Sequence, residues 1–216
     1  MIKAVIFNGT GVLSDPTPFI HKARVIYLKK LGIEHKTGNV SEILGQSLKE
    51  QIIFYNKKYG IDLKWDEFSK ETAKIANDLM KGNLKANPGA KELLKDLIKN
   101  KVKIATASQN IRKNIDFYLE EVGIKEKFDA ITTVEELTKF KPDPQIFEIT
   151  CKKLNVKPEE CVMIDDSLFG FEPAKRLGIK TIGIASKFQD KKKLEKVADI
   201  VIDSLEELSY EKINRL

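Results

Sequence analysis

The chain has 216 residues, of which 42% are hydrophobic and 32% charged, and carries a formal net charge of +6. That composition suits one good-sized domain, or a domain with a smaller insert, and excludes a disordered chain. No apolar run approaches the roughly 18 residues of a membrane span, and the lysines alternate with acids, as in KELLKDLIKNKVK, so no nucleic-acid partner is expected; the only tight cluster is Lys191–Lys193.

The opening MIKAVIF runs straight into a strand, so no signal peptide is expected. The two cysteines, Cys151 and Cys161, match neither a disulfide framework nor a metal knuckle and read as buried, reduced thiols of a cytoplasmic protein. Abundant Lys, Glu and Ile with few Gln point to a thermophile.

In chain order, Lys3–Phe7 is the first candidate strand. Residues 15–84 then read as helical throughout. Ile20, Ala23 and Tyr27 mark one face; Leu48, Ile52 and Tyr55 a second; Phe68, Ile75 and Leu79 a third. KANPGA ends this stretch with a Pro-Gly turn. Beyond it, strands at Lys103–Thr106, Ala130–Thr132, Cys161–Ile164, Lys180–Ile184 and Ile200–Ile202 alternate with amphipathic helices. Alternation of this kind predicts an α/β fold, a three-layer doubly wound parallel sheet with a small helical bundle inserted after its first strand. The predicted domains are a core of residues 1–14 and 85–216 and an insert of residues 15–84.

Ligands of such sheets sit outside the carboxyl ends of the strands, and four of these ends are polar. The first offers Asn8, Gly9, Thr10 and Gly11; the second Thr106, Ala107, Ser108, Gln109 and Asn110. Lys141 follows the third, ahead of Asp143 as a helix cap, and Asp165, Asp166 and Ser167 follow the fourth. Backbone N–H groups, hydroxyls and an ammonium suit a phosphate, and paired carboxylates suit magnesium. Taken singly, each has a plainer reading: a turn at Asn8-Gly9, a strand-end hydroxyl at Thr106, a surface lysine at Lys141.

In order along the chain, these motifs resemble those of the haloacid dehalogenase superfamily, nearest its phosphatase and β-phosphoglucomutase-like branch. AVIFNGTGVLSD is similar to the first motif, KIATASQN to the second, KFKPDPQIF to the third and CVMIDDSLFGFEPAKRLGI to the fourth. The helical insert, with GQS at Gly45–Ser47, resembles the branch's cap domain. The resemblance implies a HAD-like, Rossmann-type core and a magnesium-dependent hydrolase of a small phosphorylated substrate, monomeric or homodimeric. It puts Asn8 at the nucleophile's position and Thr10 at that of the general acid/base. Thr106, Ala107, Ser108, Gly9 and Lys141 would hold the phosphoryl group. Asn8, the Thr10 carbonyl, Asp165 and Asp166 would hold Mg2+. Gln46, Ser47 and Lys49 would be cap contacts to the substrate.

Two positions depart from the family pattern. Asn8 is an amide where the nucleophile is an aspartate. It reads as an introduced change, as the mark of a phospho-ligand-binding module without catalysis, or as a residue converted to aspartate, since Gly9 leaves the amide open to succinimide formation. Thr10 lacks the acid that protonates the leaving alcohol, which favours a slow phosphatase or, alternatively, a phosphonatase-like carbon–phosphorus hydrolase with Lys49 as its amine.

Overall fold

A computed structural model describes residues 1–34, 48–186 and 191–216. These residues form a six-stranded parallel sheet of β1 (Ala4–Asn8), β2 (Lys103–Ala107), β3 (Ala130–Thr132), β4 (Cys161–Asp165), β5 (Lys180–Ile184) and β6 (Ile200–Ile202), in the order β3-β2-β1-β4-β5-β6. The α/β class and the six strands expected from the alternation are present. β1, β2 and β4 each extend one residue further than their apolar runs, so Asn8, Ala107 and Asp165 are the last residues of strands rather than the first of loops.

The chain divides into two compact units, Met1–Asp15 with Lys85–Leu216, and Pro16–Leu84. The second unit holds α1 (Thr17–Lys30), α2 (Leu48–Tyr59) and α3 (Trp65–Met80). Tyr27, Leu28, Ile52, Tyr55, Leu63 and Phe68 make its core. Phe68 meets the Tyr27 ring edge-on at 5.5 Å, and the Tyr27 hydroxyl donates to Glu67 Oε1 at 3.2 Å. On α3 the buried residues are Phe68, Thr72, Ala76 and Met80. The apolar stripe through Phe68, Ile75 and Leu79 holds at Phe68 and at Ile75, which packs half-buried against this core, while Leu79 is only half-buried and Thr72, Ala76 and Met80 complete the buried face. Thr72 is admitted because its hydroxyl donates to Phe68 O at 2.6 Å, so it enters without a free polar group.

The first unit holds the sheet and α4 (Ala90–Lys99), α5 (Arg112–Glu121), α6 (Gln145–Leu154) and α7 (Phe171–Arg176). The central strands are buried on both faces, as parallel strands covered by helices must be. On one face Ala4, Ile6, Ala105, Cys161 and Met163 pack against Phe147 and Cys151 of α6 and Ala174 of α7. The two cysteines are buried and unbridged, their Sγ atoms 3.7 Å apart. α6 begins one residue later than the Asp143 cap predicts. Pro144 is the N-cap, and the Asp143 carboxylate accepts from the Gln145 N–H at 3.0 Å. No helix among the described residues is long and apolar enough to cross a membrane.

Phe68 is fully buried between Tyr27 and Tyr55. Phe68→Ala is expected to lower the unfolding free energy of the helical unit by about 3–5 kcal/mol in urea denaturation. A loss under about 1 kcal/mol would show that this cluster does not hold the unit together.

Candidate functional site

Order β3-β2-β1-β4-β5-β6 reverses direction between β1 and β4, the point where such sheets open a crevice. Phe7 pairs with Ile164 there, so Asn8 and Asp165 end the two strands one residue further on. On the other side Asn8 pairs with Ala107. A cleft of about 290 Å³ lies over these ends, lined among others by Asn8, Thr10, Ser108, Lys141 and Ser167.

Asn8 sits at its centre. Its Nδ2 donates to Thr10 O at 3.1 Å and approaches Asp166 Oδ1 at 3.5 Å. Two oxygens thus face one amide donor. The backbone allows this because Gly11 has φ +86°, and a Cβ there would fall 2.1 Å from Asp166 Oδ2. Gly9 is equally constrained: a Cβ would lie 2.5 Å from Ser108 Cβ. The loop is also tied from outside. Asn87 Nδ2 donates to Gly11 O at 2.7 Å and Val12 O at 2.9 Å, and its N–H donates to Leu13 O at 2.8 Å.

The paired acids have different environments. Asp165 is fully buried, and its Oδ1 accepts from Ser167 N at 2.9 Å and Ser167 Oγ at 3.0 Å. Its Oδ2 has no hydrogen bond among the described residues and faces Lys141 Nζ at 3.7 Å. The Lys141 side chain is only 6% exposed and also lies over the Phe147 ring, 5.4 Å from its centroid. Burial pushes the Asp165 carboxyl upward, and the Lys141 charge opposes the shift. Asp166 is pushed up to about 7, first by burial and then by repulsion from Asp165; the Asn8 amide opposes this.

Thr106 is fully buried and its Oγ1 has no hydrogen-bond partner among the described residues. Ala107 is buried beside it, and Ser108 Oγ accepts from the Asn110 N–H at 3.1 Å. Asn8, Gly9, Thr10, Ser108, Lys141, Asp165 and Asp166 are thus brought to one end of the sheet. Lys49 is exposed on α2 in the helical unit, and Gln46 and Ser47 lie outside the described residues. Among the described residues no group of three or more His, Cys, Asp and Glu side chains clusters as a metal site. The donors near Asn8 are instead one carboxylate, a backbone carbonyl and an amide, all hard oxygen groups of the kind magnesium takes.

The family model for haloacid dehalogenase-like hydrolases matches residues 5–184. The chain belongs to this family. Several proteins similar to it are named phosphatases. The chain is 27% identical over 208 residues to the phosphorylated carbohydrates phosphatase of Thermotoga maritima, covering 96% of both. It is 31% identical over 212 residues to the bifunctional riboflavin kinase/FMN phosphatase of Arabidopsis thaliana, covering 98% of this chain and 54% of that one. The crystal structure of a putative beta-phosphoglucomutase from Thermotoga maritima superposes with a TM-score of 0.87 at 27% identity, covering 100% of each chain.

Asn87 and Phe169 were not singled out from the sequence. Asn87 is hidden in a stretch that reads only as a turn, KANPGA. For Phe169 the available signal is an aromatic residue three positions beyond Asp166, where the chain turns from strand to helix.

With its carboxyl raised to about 7, Asp166 binds a proton in the folded chain at pH values where it is ionised when unfolded. The folded state then holds more protons between about pH 4 and 7, so this group's contribution to stability falls as pH rises through that window. Asp166→Asn removes the repulsion and retains an acceptor for Asn8. In chelator-treated buffer it is expected to raise Tm more at pH 8 than at pH 5. An equal shift at both values would show that the Asp166 carboxyl is not raised by burial and by Asp165.

Proposed function

We propose that this chain carries the site of a magnesium-dependent phosphoric monoester hydrolase for small phosphorylated sugars, with Asn8 in the place of the attacking carboxylate. The observation that carries the reading is the Asn8 amide nitrogen, held between the Thr10 carbonyl and the Asp166 carboxylate. An aspartate in that position would bring another anionic oxygen to the same point, an arrangement that needs a cation. Asp166, the Thr10 carbonyl and the side-chain oxygen of residue 8 would hold the magnesium, with Asp165 behind them. When bound, the metal supplies positive charge to the phosphoryl oxygens and to the carboxylates.

In the proposed reaction a carboxylate at position 8 attacks phosphorus. The P–O bond to the leaving alcohol breaks as the acyl phosphate forms, and water then hydrolyses that acyl phosphate. Lys141 neutralises the phosphoryl oxygens, and the unpartnered Thr106 hydroxyl donates to one of them. Thr10 cannot protonate the leaving oxygen, help that is typically worth roughly 10²–10⁴-fold. Turnover therefore favours leaving groups that need no proton. With Asn8 in place the site binds a phosphate ester and does not transfer it efficiently. The names of the relatives, a phosphorylated carbohydrates phosphatase among them, support sugar phosphates as the substrate class. The helical unit is read as the cap that chooses among them.

Asn8→Asp is expected to produce magnesium-dependent hydrolysis of 4-nitrophenyl phosphate, on the order of 10³-fold or more above the Asn8 chain. The parent is first shown by intact mass to retain its amide. Asn8→Asp combined with Lys141→Ala is expected to be inactive again. Equal activity in the undeamidated parent, or none in Asn8→Asp across a broad panel of phosphate esters, would overturn the reading.

A further inference from the structure

The cleft over Asn8 has one apolar lining residue among those described, Phe169; all the others are polar or charged. A phosphate has no use for an apolar wall. Phe169 is also 75% exposed, so its ring does not serve the core. The packing in this turn belongs to Phe171, which is fully buried two residues on. The backbone on either side is pinned. Ser167 is tied to the Asp165 carboxylate through both its N–H and its hydroxyl. Gly170 lies so close to Met163 and Asp165 that a Cβ would fall 2.1 and 2.2 Å from their side chains. Exposed apolar side chains scattered on a surface are ordinary. This one is held at the rim of the polar cleft, on a fixed turn.

We infer that Phe169 is a specificity-determining residue that packs its ring against the apolar face of a ring-shaped leaving group, an aryl ring or the C–H face of a sugar. The inference rests on the phosphate-ester reading of the cleft and adds the shape of what the phosphate is attached to. Phosphate recognition by the strand ends is separate from ring recognition at the rim, so the two are separable by measurement.

The test is titration calorimetry on the Asn8 chain with magnesium, using inorganic phosphate, methyl phosphate, phenyl phosphate and glucose 6-phosphate. The parent is expected to bind at least one ring-bearing ester more tightly than methyl phosphate. Phe169→Ala is expected to weaken that ester about 3- to 10-fold while inorganic and methyl phosphate stay within about twofold. Phe169→Tyr is expected to restore the preference, and serves as the readout should the alanine variant fold poorly. Loss on phenyl phosphate alone identifies an aryl group, loss on glucose 6-phosphate alone a sugar, and loss on both a ring face in general. Equal loss on all four ligands, or no loss on any, overturns the inference. If the parent binds no phosphate at all, the phosphatase reading falls and this one with it. If phosphate binds without any ring preference, only this inference falls.

Discussion

The parallel pairing of β1 with β4 is the constraint on which the site depends. It brings residues 8 and 165, far apart in the chain, to adjacent strand ends at the point where the sheet reverses its order. Parallel strands cannot be joined by a tight turn, so each connection carries a helix, and the helices cover the faces and leave the carboxyl ends open. Polar residues collect there because they have no place within the buried strands. Ala4, Val5, Ile6 and Phe7 are all fully buried, and the first residue of β1 able to reach solvent is Asn8.

Charge balance then organises the strand ends. Asp165 is fully buried, which is tolerable because Lys141 and Ser167 share its two oxygens between them. Among the described residues no cation pairs with Asp166, and its raised carboxyl reflects burial together with the Asp165 charge. An amide at position 8 relieves part of this strain by directing an N–H toward Asp166 Oδ1. The same amide makes residue 8 a poor nucleophile. The amide that eases the electrostatics of the cleft is thus also a side chain that does not attack as a carboxylate would.

Close approach supplies the remaining precision. Gly11, in a left-handed conformation, lets the first loop lie directly against the Asp166 carboxylate, and Asn87 holds that loop through three backbone groups. The loop is thus clamped by glycine contacts on one side and an amide on the other. A group that must meet a phosphate within hydrogen-bonding distance needs positioning of this kind.

From the sequence alone, the six strands and their alternation with helices were legible, because buried parallel strands read as unbroken apolar runs between helical stripes. So were the residue types at each strand end, since they are polar residues where such runs stop. The buried face of α3 was not fully legible: Thr72 counts as polar until its hydroxyl is seen bonded to Phe68 O, a bond that exists only once the helix forms. Nor were the separate roles of Asp165 and Asp166. Asp165 is the last residue of β4 and Asp166 the first beyond it, and the first meets Lys141 while the second meets Asn8. Which acid does which depends on the register of β4 against β1. Asn87 and Phe169 escaped for the same reason. The sequence by itself determined which chemical groups stand at the ends of the strands; only the tertiary structure decided which of them face one another, because that follows from strand order, register and loop closure between residues distant in the chain.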